Sequence, residues 1–435
     1  MTAAGNPQRT GWQRPEAVAV DAADDDDDDA KPELGIRLGK TTVNRMQLLW
    51  KLKLANQPRG MNSITAPLIV GQIITDRGFK ELAVVAGSSD MIFAIDADLG
   101  KLFWQRELVN AASRATGSQD CPGGLTAAPV IEAIPGIPGR SFPRFTVHAV
   151  ASDGAVHSLN LANGSDVTPP AKWLPPGVNA HALNLHGTFL YTATSGRCGF
   201  STDGVWSLDL RNLQPTRVTL DDVSGLAIDA SGTVYTTSSA NGAARVLAFS
   251  AGDLTAHGEV TLGGRSAPPI TPAVFERNGM SVIIAANGDG QFTLLDRTMQ
   301  PLVAATALSS PVRGGVATFE SGNTRWIYAA GGGIAALRLV ETAGRLQLMP
   351  VWQSRNLISP VPPVILNEVV FALSAGNDSA GATLYAFDAA TGDELYTSGT
   401  TFASSARAGL TVVNNRVYVS TFDGTVYCFG FPLER

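Results

Sequence analysis

Five arginines, Arg59, Arg265, Arg313, Arg355 and Arg407, stand with His181 in turn-rich stretches that separate apolar runs. Guanidinium groups bind carboxylates bidentately. Several cations around one concavity would draw an anionic ligand, because a low-dielectric wall focuses the field. The same side chains can instead tie loops together, through backbone carbonyls or acids such as Asp221 and Asp222. Asp90, Asp153, Asp203, Asp289, Asp378 and Asp423 occupy comparable turns. A carboxylate there can take a proton from a substrate hydroxyl, but in an Asp-Gly hairpin it commonly caps its own turn. No catalytic residue is assigned.

Three cysteines occur, and no Cys-x-x-Cys, so neither a c-type haem attachment nor a zinc knuckle is expected. Cys121 and Cys198 lie in Gly-containing loops, Cys121-Pro122-Gly123-Gly124 and Arg197-Cys198-Gly199. A disulfide, two free thiols and a metal site all remain open for them; the first would fit an oxidising compartment. Cys428 follows strand patterning and reads as a buried, inert thiol. The five histidines, His148, His157, His181, His186 and His257, show no metal-ligand spacing, and no metal is assigned. There is no Gly-x-Ser-x-Gly elbow and no Gly-rich loop followed by Lys and Ser or Thr.

The elements that must position these residues repeat. An apolar strand, a small turn and a second strand often ending in Asp recur at Ile92–Asp96, Val156–Asn160, Val205–Asp209, Val246–Phe249, Phe292–Asp296, Ile334–Leu337, Leu384–Asp388 and Val426–Phe429. Eight copies at roughly 48-residue spacing fit the four-stranded unit of a β-propeller, a WD-like repeat architecture. Asp153-Gly154, Asp203-Gly204, Asp289-Gly290 and Asp423-Gly424 precede four of them, as tight hairpins demand. The last copy lacks an outer strand, whereas Leu48–Leu54 is a strand with no unit of its own. Pairing the two closes the ring and removes exposed edges. The expected fold is all-β: one eight-bladed propeller of four-stranded antiparallel blades over residues 41–435.

Composition agrees: 44% hydrophobic, 16% charged, 45 Gly and a net charge of −6 favour short strands and tight turns. No basic balance suggests a nucleic-acid surface, and no apolar run is long enough for a transmembrane helix. Residues 1–40 contain the run Asp24 to Asp29, whose like charges cannot pack; the segment reads as largely disordered. No signal peptide is visible at Met1.

Two copies carry more. Ala94, Asp96, Gly100 and Trp104, and Ala386, Asp388, Gly392 and Tyr396, resemble the Ala-x-Asp-x-x-x-Gly-x-x-x-Trp repeat of the pyrroloquinoline-quinone (PQQ)-like, quinoprotein alcohol dehydrogenase-like propellers. Trp50 and Trp352 stand in similar outer-strand segments, and the resemblance implies that these rings dock against neighbouring blades. It also implies an extracytoplasmic protein, periplasmic or secreted, whose leader is missing ahead of Gly5–Trp12. The activity it implies divides. One branch is a non-catalytic binding or assembly scaffold, a monomer, holding a protein, peptide or anionic small molecule at the central funnel and loop face. The alternative is a PQQ-dependent dehydrogenase of alcohols or sugars, with Ca2+ beside the quinone. The chain lacks the vicinal cysteine pair of the larger dehydrogenases, which favours the scaffold.

Overall fold

Burial along short strands decides the architecture. Met91–Asp96 and Thr425–Gly430 are buried almost throughout, whereas Lys101–Glu107 only reaches half-buried at alternate positions. A strand apolar on both faces needs a layer on each side. Sheets stacked around an axis supply both layers. The computed structural model describes residues 8, 37–60, 62–109, 121–137, 142–240, 243–262, 270–303, 306–308, 311–313 and 315–432.

Eight antiparallel sheets follow one another along the chain. Blades 1 to 7 span residues 68–107, 130–172, 179–219, 227–261, 273–307, 316–353 and 364–397. Each recurring segment of the sequence is the third strand of its blade, counted from the axis. Blade 3 departs slightly: its inner strand is split into Asn179–Ala180 and Asn184–His186, both paired with Phe189–Ser195. Blade 8 joins the two ends of the chain. Its inner three strands are Leu410–Val413, Arg416–Ser420 and Thr425–Gly430, and its outermost is Gln47–Lys53. Leu48 faces Phe429, Trp50 faces Cys428 and Lys53 faces Thr425.

The core is distributed. Eight apolar clusters occur, and each is built from two neighbouring blades: Val84 and Ile92 of blade 1 with Val147 and Leu159 of blade 2, or Phe371 and Leu384 of blade 7 with Val417 and Phe429 of blade 8. At three of these joints an outer-strand tryptophan reaches into the next blade. The indole Nε1 of Trp50 donates to Ala97 O (2.9 Å), that of Trp104 to Leu161 O (2.8 Å), and that of Trp352 to Ala389 O (2.9 Å). Each ring lies over a glycine of the turn it meets, Gly100, Gly164 or Gly392, with φ of +63°, +72° and +78°. A Cβ there would strike the indole, so the glycine answers both the backbone angle and the close approach. Tyr396 packs half-buried against the cluster between blades 7 and 8.

Turn chemistry follows the Asp-Gly expectation at Gly154, Gly290 and Gly424, where φ is +80°, +86° and +84°. Gly204 differs. It opens the strand Gly204–Asp209, and a Cβ would collide with the Val218 carbonyl. Of residues 1–40, Arg37 to Lys40 are described with Gln8. Leu38 is fully buried, its amide donates to Asn415 Oδ1 (2.9 Å), and Lys40 pairs with Glu368 (3.3 Å) and Asp388 (3.2 Å). Asp24 to Asp29 lie outside the described residues. No described helix is long and apolar enough to cross a membrane.

Candidate functional site

In each blade the strands alternate in direction. The loop leading into a blade and the loop between its second and third strands therefore emerge on one face. That face carries Arg59, Arg313, Arg355, Arg407, His181, the six aspartates and the cysteine pair.

Cys121, ahead of blade 2, and Cys198, in the middle loop of blade 3, are joined in a disulfide. The thiol and metal alternatives are thereby excluded. The bridge holds a short turn, Cys198–Phe200, that presents Phe200 fully to solvent. Cys428 is buried, and burial pushes its thiol up to about 12.

The aspartates are mostly committed within the protein. Asp90 is fully buried and accepts Ser152 N (2.9 Å) and Ser152 Oγ (2.8 Å), linking blades 1 and 2. Asp153 accepts the Ala155 amide (3.0 Å). Asp203 accepts the Arg197 amide (2.8 Å), and burial raises its carboxyl above the usual range. Asp423 accepts Thr421 Oγ1 (2.6 Å) and Thr425 Oγ1 (2.9 Å) and pairs with Lys53 (3.0 Å). Asp378 is the contrast, with a fully exposed side chain.

The arginines do not form one ring of charge. Arg355 leans outward over Tyr385, 5.7 Å from the ring, and reaches Glu394 at 3.4 Å. Arg59 packs its stem beside Gly124 of the loop leading into blade 2. Arg313 is exposed, with its amide bound to Ala330 O (2.7 Å). His181 ties blade 3 to blade 4 through its Nε2 and Val223 O (3.1 Å). Arg265 lies outside the described residues.

Arg407, like Arg355, stacks on a ring and approaches an acid, but it does so beside a cleft. Its guanidinium stands 5.6 Å over the Phe422 ring and 3.7 Å from Asp378. Phe422 and Asp378 line a cleft of about 270 Å3 between blades 7 and 8 on this face. The other lining residues are Asn377, Ser379, Ala380, Gly381 and Ala403 to Ser405. Asn377 Oδ1 accepts the amides of Ser379 and Ala380 (2.9 Å each), which fixes the lip. The cleft is lined by an aromatic ring with hydroxyl and backbone groups, and the cation stacked on that ring stands beside it, a set suited to a carboxylate or peptide. Sequence reasoning picked out Arg407 and Asp378 but missed Phe422 and the serines. Nothing in the repeat distinguishes them; Asn377-Asp378-Ser379 reads only as a turn.

A calcium–quinone pair would need converging oxygen ligands beside a flat cavity. Among the described residues no three His, Cys, Asp or Glu side chains converge as a metal site.

The repeat, the eight blades and their order define a class. The chain is similar to the PQQ-like β-propeller repeat family over residues 35–217, and its fold is that of such propellers. The family model described as "Outer membrane protein assembly factor BamB" matches residues 35–217. The fold is similar to that of the quinohemoprotein alcohol dehydrogenase from Comamonas testosteroni, at 14% identity and a TM-score of 0.62, over 99% of this chain and 80% of that one. It is similar to BamB from Moraxella catarrhalis at 15% identity and a TM-score of 0.56, over 90% and 99% of the two chains. A computationally designed protein, Ika8, is similar at 16% identity and a TM-score of 0.57, over 87% and 98%. At these identities the likeness concerns the fold. Among curated proteins none matches the chain.

Proposed function

We propose that the chain is a non-catalytic, extracytoplasmic binding or assembly scaffold that holds an acidic peptide or protein segment on its loop face, with the cleft at Arg407 as the principal seat. The observation that carries this reading is the contrast within one face. Asp90, Asp153, Asp203 and Asp423 accept hydrogen bonds from neighbouring loop groups, while the Arg407 guanidinium stacks on Phe422 at the cleft, within 3.7 Å of fully exposed Asp378. An exposed pair of that kind contributes about 0–1 kcal/mol, so a partner carboxylate can displace Asp378 at little cost. The BamB match to residues 35–217 supports a protein partner. The disulfide between Cys121 and Cys198 supports an oxidising compartment.

The test is titration of the full chain with an acidic peptide, before and after charge reversal at Arg313 and Arg407. Each guanidinium that contacts the ligand is worth about tenfold in affinity. Loss of binding on Arg407→Glu, with a smaller effect of Arg313→Glu, is expected. Unchanged binding in the double variant rejects the reading. A parallel titration with PQQ and calcium, followed by dye reduction with alcohols and sugars, addresses the dehydrogenase branch; turnover there would replace the scaffold.

A further inference from the structure

The inner strand of blade 5, Ala273–Arg277, lines the channel. Val274, its second residue, faces Ile283 of the second strand. In an antiparallel ladder every other residue turns its amide away from its partner strand. On an innermost strand that direction is the channel. Val274 is fully buried, so an unpaired amide there would cost about 1–3 kcal/mol. The amide is paired: it donates to the carbonyl of Gln8 at 2.9 Å. Gln8 is itself half-buried. Among the described residues no other backbone bond joins a blade to the chain ahead of Arg37.

A second anchor lies on the opposite side of the acidic run. Leu38 is buried between blades 7 and 8, where Asn367 Nδ2 donates to its carbonyl (2.8 Å). The chain between Gln8 and Leu38 is thus tied at both ends. A contact made within one chain does not depend on protein concentration. A weak edge-strand contact is enough to hold an occupant under those conditions.

We propose that the segment bearing Gln8 is a built-in ligand of the propeller, docked by backbone pairing on the channel edge of blade 5. The channel wall at Val274 is on this account a peptide-binding edge, of the kind that accepts an extended strand through main-chain bonds. The proposal stands apart from the Arg407 cleft, which is built from blades 7 and 8.

Hydrogen exchange tests it directly. Deleting residues 1–30 leaves the Leu38 anchor in place. The Val274 amide should then exchange at least about 100-fold faster, whereas Ile283, inside the ladder, should not change. Unchanged exchange at Val274 overturns the proposal. A second experiment keeps the whole chain. Nitroxide labels are placed at Gln8→Cys and at Met280→Cys, an exposed position at the far end of the same hairpin. The buried Cys428 thiol, pushed up to about 12, stays unlabelled. A single narrow distance distribution is expected. A broad one contradicts docking.

Discussion

The rim of the propeller and its loop face obey different rules. At the rim, Trp50, Trp104 and Trp352 repeat one solution: an indole lies over a glycine of the next blade and donates to a carbonyl beside it. On the loop face the described arginines meet different surroundings. Arg355 leans outward, Arg407 stacks on Phe422, and Arg59 packs beside Gly124. Three of the eight joints share this device, so the rim is repetitive there. A binding face has to distinguish one partner, so its loops diverge.

The sharpest way to break this contrast is at a rim joint. Trp104→Ala should cost about 3–5 kcal/mol, read as a lowered denaturation midpoint. Gly164→Ala should destabilise too, since its φ is +72° and the new methyl meets the Trp104 ring. The two losses should be less than additive when combined, because removing the indole opens the space. Additive losses would mean that the ring and the turn are not one unit. On the loop face, replacing Cys121 and Cys198 by serine should cost about 2–4 kcal/mol, since the bridge closes a loop with a sequence separation of 77. The same loss should follow reduction of the wild type.

A smaller effect sharpens the comparison at the joint between blades 8 and 1. Burial raises the carboxyl of Glu81, although Asn414 Nδ2 (3.1 Å) and Tyr418 Oη (3.2 Å) donate to it. The folded state therefore holds this proton more tightly than the unfolded chain does. Its contribution is fully present below the ordinary carboxylate value and is lost as pH rises through the raised one. Glu81→Gln should flatten that part of the stability profile from the ordinary carboxylate range upward. An unaltered slope would show that the site is not linked to folding.

Most of the fold was legible in the sequence because closure demands repetition. Eight copies of one strand, Asp-Gly turns and an unmatched Leu48–Leu54 segment were enough to specify the ring and its seam. Gly204 misled, since an Asp-Gly pair can also serve a close approach in an extended strand. The split inner strand of blade 3 was hidden because Asn179–Ala180 and Asn184–His186 are too short to carry a pattern. The cleft was half legible. Arg407 stood out by charge and loop position. Phe422 did not, because its role depends on two loops from different blades meeting over it.

The division between rim and face comes down to Arg407. Calorimetric titration of an acidic peptide into wild-type protein and Arg407→Glu, at low and at moderate salt, measures it directly. The account predicts affinity that weakens with salt in the wild type, a loss of about tenfold or more in the variant, and an unchanged denaturation midpoint. Equal affinity in both proteins, or a variant that loses stability as a rim variant does, would contradict it.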